Sequence, residues 1–255
     1  MRYKRYIPLV TPIIVWFLSQ AYLAKPDLFY SSLAIGALLI VFSVRHIALK
    51  RQDNWLLFVI APVLFFLSLA SYVAIIISSF WIKIIFLATA WYLFLYLKNL
   101  YYYFNADDPE SVEKRAARLD NLFIAGGFLT LFATTAVWFG LPAFVNWSPL
   151  ATLPVLVLVI MLLFVQFSLF SPNQSRPLGP TAFLITLILT EIAWGLSLLP
   201  LNFHILALFM SINYYLGLTV LRLKWSGSLN RRALQLPLIL SGITIFFIFI
   251  TSRWL

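Results

Sequence analysis

The residue best placed to do chemistry in this sequence is Glu191, an acidic side chain in the middle of the apolar run 181–200, TAFLITLILTEIAWGLSLLP. A run of this length and apolarity is typical of a membrane span. An ionisable group inside a span indicates a proton or cation relay, a contact for a polar substrate, or a neutral carboxylic acid that joins two helices by hydrogen bonds. The sequence leaves these three readings open.

The partners expected for Glu191 come from the next apolar run. A tight turn at 200–202 predicts a hairpin between runs 181–200 and 203–221, so depth in the membrane is mirrored across it. Asn213 and Tyr214 then lie level with Glu191, and we predict a hydrogen bond from one of them. Ser241 and Thr244, in the last apolar run, lie at a similar depth and complete the candidate intramembrane polar site.

A stripe of small, weakly polar residues runs along the same predicted helix. Its members recur at intervals of about four and are Thr186, Thr190, Ala193 and Ser197. Small residues are where membrane helices approach closely. Because Glu191 is adjacent to this stripe, we expect its side chain to face the interior of the helix bundle.

Composition defines the class of protein that must position these groups. The chain of 255 residues is 63% hydrophobic and only 10% charged, with a mean hydropathy of +0.97. Soluble domains are about 45–50% apolar and about 25% charged. We therefore predict an all-α, polytopic transmembrane bundle that forms one integral-membrane domain over 1–255, with about nine spans.

The span boundaries follow from the apolar runs and the polar breaks between them. The long run from 55 to 104 exceeds one crossing and is divided near Lys83. A water-soluble connector helix is predicted over 108–120, with Asp108 as its N-cap and an ion pair between Glu110 and Lys114. The predicted spans are 7–24, 28–47, 55–78, 84–103, 122–141, 150–170, 181–200, 203–221 and 234–250.

The basic residues predict the orientation. With a cytoplasmic N-terminus and an outer C-terminus, three of the 18 Lys and Arg residues fall outside, namely Lys25, Lys83 and Arg253. The rest fall in cytoplasmic loops, as expected from the preference of Lys and Arg for that side. Miscounting one span would destroy this segregation.

Several classes of chemistry have no residues to perform them. The chain has no Cys and only two His, so neither a disulfide nor a thiolate or histidine metal centre is expected. No phosphate-binding loop, zinc-protease motif or serine-hydrolase motif occurs. We therefore predict no catalytic residues, no metal and no cofactor.

Three functions remain compatible with the sequence. The first is a non-catalytic membrane subunit or scaffold; the second is a transporter for a small or lipophilic solute that uses Glu191; the third is an intramembrane lipid-modifying enzyme. The net charge of +10 lies in short loops and not in a soluble domain, which favours the lipid bilayer, with anionic lipid at the cytoplasmic face, over nucleic acid. A membrane-protein partner or a homo-oligomer is expected, and a prokaryotic cytoplasmic membrane is the predicted location.

Overall fold

A computed structural model describes residues 2–48, 55–76, 78–105, 108–167, 178–225 and 231–251. The described residues are helical throughout, apart from short turns and links, and contain no strand. Within these ranges the α-helices are α1 Ile7–Ala24, α2 Phe29–Ala48, α3 Trp55–Val73, α4 Ser79–Phe104, α5 Pro109–Val145, α6 Pro149–Phe167, α7 Leu178–Ser197, α8 Phe203–Trp225 and α9 Arg231–Thr251.

These helices have the length and composition of membrane spans. Of the part of the chain that the structure describes, eight helices, α1 to α8, are long and apolar enough to cross a membrane. The ninth, α9, contains a shorter apolar stretch, Leu234–Phe246. The all-α class is confirmed, and the helices indicate an integral membrane protein. The count of nine spans and their orientation stay predictions.

Helix α4 differs from its predicted boundary. It begins at Ser79, so Trp81 and Lys83 lie inside the helix and not in a loop. At about 1.5 Å per residue its 26 residues extend about 39 Å, which exceeds a hydrocarbon core of about 30 Å. A lysine near the end of such a helix reaches the headgroups with its ammonium group, and this makes the helical position tolerable.

The predicted connector is the first part of a longer helix. α5 is continuous over its 37 residues, so no break separates 108–120 from the span that follows. The stretch Ala116-Ala117-Arg118-Leu119 consists of strong helix formers, and no Gly or Pro interrupts the helix before Gly126. The expected start is confirmed: the Asp108 carboxylate accepts the backbone N–H of Ser111 at 3.1 Å, and Lys114 pairs with Glu110 at 2.5 Å.

Contacts divide the chain into two compact units, Met1–Gly127 and Phe128–Leu255. In the N-terminal unit, α1 packs on α2 and α4, and α3 packs on α2 and α4. A hydrogen bond of 2.7 Å joins the buried hydroxyls of Thr11 and Ser43. Aromatic rings fill the space between α3, α4 and α5, with Phe65 stacked on Tyr92 at 3.9 Å between centroids.

In the C-terminal unit, α7 packs on α6 and α8, and α8 packs on α9. The rings of Phe164 and Tyr214 join α6 to α8, with their centroids 5.2 Å apart. The predicted residues 168–170 at the end of the sixth span, and Arg253 near the chain end, lie outside the described residues. The expectation of one domain over the whole chain stays a prediction.

Candidate intramembrane functional site

Helices α7 and α8 form the predicted hairpin. The turn lies between Ser197 and Phe203, and the Asn202 side-chain oxygen accepts the backbone N–H of His204 at 2.9 Å. A Cβ placed on Gly217 would lie 3.3 Å from Cγ2 of Ile185, so these two positions face each other across the hairpin. Counting outward along both helices from that contact puts Glu191 level with Ser211 and its neighbour Ile212.

The Glu191 side chain points away from that contact. Glu191 is exposed, whereas Leu189 and Ala193 are buried. Each of these two is two residues from Glu191, or about 200° around the helix. Within the C-terminal unit, Glu191 therefore faces outward, opposite to the predicted direction. Its carboxylate makes no hydrogen bond or ion pair with any described residue.

The α8 candidates are occupied elsewhere. The Asn213 amide, which is half-buried, donates to the carbonyl oxygen of Phe209 in its own helix at 2.9 Å. Tyr214 is buried at 2% exposure, with its ring against Phe164. The predicted hydrogen bond between Glu191 and either of them is absent among the described residues, because the three side chains leave the hairpin in different directions.

The α9 candidates and the small stripe are also placed. Ser241 is buried, and Thr244 is exposed with its hydroxyl donated to the Leu240 carbonyl oxygen at 2.8 Å.

In the stripe, Thr186 and Ala193 are buried, while Thr190 and Ser197 are half-buried. Each of the three hydroxyls donates to a carbonyl oxygen of α7 itself, namely Thr186 to Ala182, Thr190 to Thr186 and Ser197 to Trp194. The stripe therefore packs, but its hydroxyls do not reach Glu191.

Comparison with known proteins assigns no relative. No family model, curated protein or solved structure matches this chain. The function is therefore argued from the chemistry of the chain's own side chains.

Two buried side-chain hydrogen-bond donors were not predicted from the sequence. Among the described residues, Nε2 of Gln166 and Nε1 of Trp138 are buried and have no hydrogen-bond partner. Gln166 interrupts the apolar run of α6, which was visible in the sequence, but only packing reveals that it is 2% exposed. A buried amide without a partner costs about 1–3 kcal/mol, so this position is a weak point of the unit.

A cluster of basic side chains was also missed. Lys98 on α4 and Arg115 and Arg118 on α5 line one groove of about 650 Å³ near the ends of both helices. The guanidinium of Arg115 lies 4.8 Å from the ring centre of Tyr102. In the sequence these residues are ordinary loop-proximal charges, and only the antiparallel packing of α4 and α5 brings them to one place.

Proposed function

We propose that this protein is a non-catalytic membrane subunit, and that α7 binds a transmembrane helix of another protein through the surface centred on Glu191. The observation that carries the proposal is an exposed carboxyl group inside an apolar helix, without a partner in the described chain. Polar side chains within a span ordinarily face protein or water. The exposed carboxyl group of Glu191 is therefore expected to meet a partner that its own helices α6 and α8 do not provide.

The surface around Glu191 has the spacing of a helix-packing seam. Its exposed members are separated alternately by three and four residues, which is the pattern of a left-handed helix pair. We call this surface the Glu191 face, and its members are Leu184, Leu187, Glu191, Trp194 and Leu198. Gly195 lies beside it with no atom within 4 Å of its Cβ position, so a second backbone can approach closely.

The energetics favour a partner that brings a hydrogen-bond donor. An acidic side chain in the bilayer centre costs about 2.5–3.5 kcal/mol on insertion scales. Glu191 lies about 9 Å from the helix end at Ser197, which is too deep for this short side chain to reach the headgroups. A Lys, Arg or amide side chain from a neighbouring helix can donate a hydrogen bond to the carboxyl group. This polar contact also fixes how the two helices are aligned along their axes.

A second copy of the chain is a poorer match to the same surface. A parallel two-fold contact between Glu191 faces would put one carboxyl group against another and would bring a basic side chain to neither. Helix α7 contains no basic residue that could offset this. Charge complementarity therefore points to a different protein.

The transport reading requires water to reach Glu191. Three grooves of the described residues lie between α1 and α2, between α1 and α4, and between α4 and α5, and Glu191 lines none of these three. An assembly surface accounts for the exposed carboxyl group without a water path. The subunit function is therefore the one that the site supports best.

The experiment uses defined helices in lipid vesicles. The chain has no Cys, so Pro200→Cys in the exposed turn gives a single site for a fluorescent donor. Polyleucine transmembrane peptides with Lys, Gln or Leu at their centre carry the acceptor. We expect the Lys and Gln peptides to bind about 5- to 30-fold more tightly than the Leu peptide, since an interhelical polar contact contributes about 1–2 kcal/mol in model peptides.

The control is Glu191→Leu, which should abolish the difference between the peptides. Thr244→Leu, which removes an exposed polar group from α9, should leave it intact. Equal binding of all three peptides would overturn the proposal. If energy transfer occurs between two labelled copies of the protein and is lost in Glu191→Leu, the partner of the Glu191 face is a second copy of this chain and not a different protein.

A further inference from the structure

We propose that the N-terminal unit binds an anionic phospholipid, with the phosphate in the basic groove between α4 and α5 and an acyl chain along the apolar groove between α1 and α4. This inference is independent of the Glu191 face. It rests on two grooves of opposite character that follow one another along α4, the apolar one lined by residues up to Phe94 and the basic one by residues from Leu95 onward.

The basic groove is built by antiparallel packing. Tyr96 of α4 contacts Phe123 of α5 with ring centroids 5.5 Å apart, and Tyr102 contacts Arg115 two turns further on. The same register puts Lys98 opposite Arg118. The polar residues that line the groove are Lys98, Asn99, Tyr102, Arg115, Arg118 and Asn121.

The groove carries positive charge that the protein does not neutralise. No acidic side chain is among its lining residues. In the described chain, Lys98, Arg115 and Arg118 have no carboxylate partner, whereas Lys114, on the same helix, is paired with Glu110. Three unpaired cations at one place attract an anion, and the planar fork of Arg suits the oxygens of a phosphate.

The donors around these cations complete a phosphate site. The Asn121 side chain is exposed and makes no hydrogen bond to any described residue. The Arg115 guanidinium is held over the Tyr102 ring, which limits its freedom before any ligand binds. A preoriented guanidinium loses less entropy on binding than a freely rotating one.

An apolar groove begins where the basic one ends. The groove between α1 and α4 has a volume of about 430 Å³ and is lined by apolar side chains, among them Leu9, Trp16, Leu87, Trp91 and Phe94. The ammonium group of Lys98 lies 5.4 Å from the centre of the Phe94 ring. Lys98 therefore contacts the basic groove on one side and the end of the apolar groove on the other.

This juxtaposition favours a lipid over a free phosphate ion. A phospholipid carries a phosphate and an apolar chain on one molecule, and the two grooves offer a place for each. The length of α4 is compatible with this, because its 26 residues exceed a hydrocarbon core of about 30 Å and leave room for its C-terminal end to reach the headgroup layer. Basic residues at that level bind anionic headgroups.

The test measures lipid binding to the purified full chain in dodecylmaltoside by native mass spectrometry. We expect phosphatidylglycerol to bind at least about tenfold more tightly than phosphatidylcholine, and the double variant Lys98→Gln/Arg118→Gln to lose that preference. The matched control is Lys114→Gln, which removes one cation of α5 outside the groove and should change binding less than about twofold. Equal losses in the control and groove variants would overturn the site, since they would report only the overall charge.

Two further experiments distinguish a lipid phosphate from a free phosphate ion and control for misfolding of the variants. Ala90→Trp fills the apolar groove, so it should weaken phosphatidylglycerol binding while leaving inorganic phosphate binding unchanged. If inorganic phosphate displaces the lipid at equal concentration, the ligand is a free phosphate and the lipid proposal is wrong. The double variant is used only if it keeps the wild-type melting temperature in the absence of lipid. Otherwise the single variant Arg115→Gln takes its place. An unchanged preference of Arg115→Gln for phosphatidylglycerol would contradict the proposal.

Discussion

The Tyr96 hydroxyl donates a hydrogen bond of 2.6 Å to the carbonyl oxygen of Phe58, the carbonyl from which Pro62 removes the usual helical donor. In an uninterrupted helix this oxygen accepts the N–H of the residue four positions later, and proline has no N–H. Tyr96 is fully buried on α4 and supplies the missing donor from the neighbouring helix. A proline inside a membrane span is thus accommodated by a specific side chain.

We predict a measurable coupling between Tyr96 and Pro62. Tyr96→Phe should lower the free energy of unfolding by about 1 kcal/mol, because the Phe58 carbonyl loses its donor. In the Pro62→Ala background the helix supplies an N–H of its own, so the same substitution should cost less. Reversible unfolding in mixed micelles of the two single variants and the double variant gives the coupling free energy.

The control for this cycle is Tyr101→Phe, whose hydroxyl has no hydrogen bond in the described chain. It should leave unfolding unchanged in both backgrounds. An equal cost of Tyr96→Phe with and without Pro62 would show that the hydroxyl does not compensate for the proline.

The close packing around Gly126 leads to a second prediction, about stability. A Cβ at this position would lie 2.6 Å from Cζ of Tyr92, whose ring is stacked on Phe65 and cannot move aside freely. Gly126→Ala should therefore destabilise the protein by about 1–3 kcal/mol, as overpacking of a core does. Gly242→Ala meets no atom within 4 Å and should be neutral or raise stability by up to about 1 kcal/mol. Melting temperatures of both variants in one detergent decide the matter, and equal shifts would contradict the packing described for α4 and α5.

Replacing the buried amide of Gln166 is expected to stabilise the protein. Its buried Nε2 has no partner in the described chain, so Gln166→Met keeps the shape and removes the unsatisfied group. We expect the free energy of unfolding to rise by about 1 kcal/mol. The control is Asn213→Leu, which removes an amide that is hydrogen-bonded to Phe209 and should give no gain. A loss in Gln166→Met would show that its amide binds something within the unit.

The sequence predicted the helices better than the directions of their side chains. The bounds of α1 agree with the run 7–24, because polar or prolyl residues flank an apolar segment of spanning length. The direction of Glu191 was predicted wrongly, since α7 is apolar on all sides and its buried residues include both small and large ones, Thr186, Ala193 and Leu189 among them. Hydrophobic periodicity carries little information when lipid and protein interior are equally apolar.

The basic groove illustrates a second limit. Lys98 and Arg118 lie on different helices, α4 and α5, and both are common residue types at membrane boundaries. Their position at one groove depends on the register between α4 and α5, which the rings of Tyr96 and Phe123 determine through packing. Such a register is not readable from composition or charge alone.

The direction of α7 can be tested with two leucine substitutions two residues apart. Ala193 is fully buried, so Ala193→Leu forces a larger side chain into a packed interface and should lower the free energy of unfolding by about 1–3 kcal/mol. Glu191→Leu changes an exposed side chain on the opposite side of the helix and should leave the isolated protein within about 0.5 kcal/mol of wild type, or more stable. Unfolding of both variants in the same micelles gives the comparison. A greater loss in Glu191→Leu than in Ala193→Leu would mean that the carboxyl group faces the interior, and the assembly surface proposed for α7 would then have no basis.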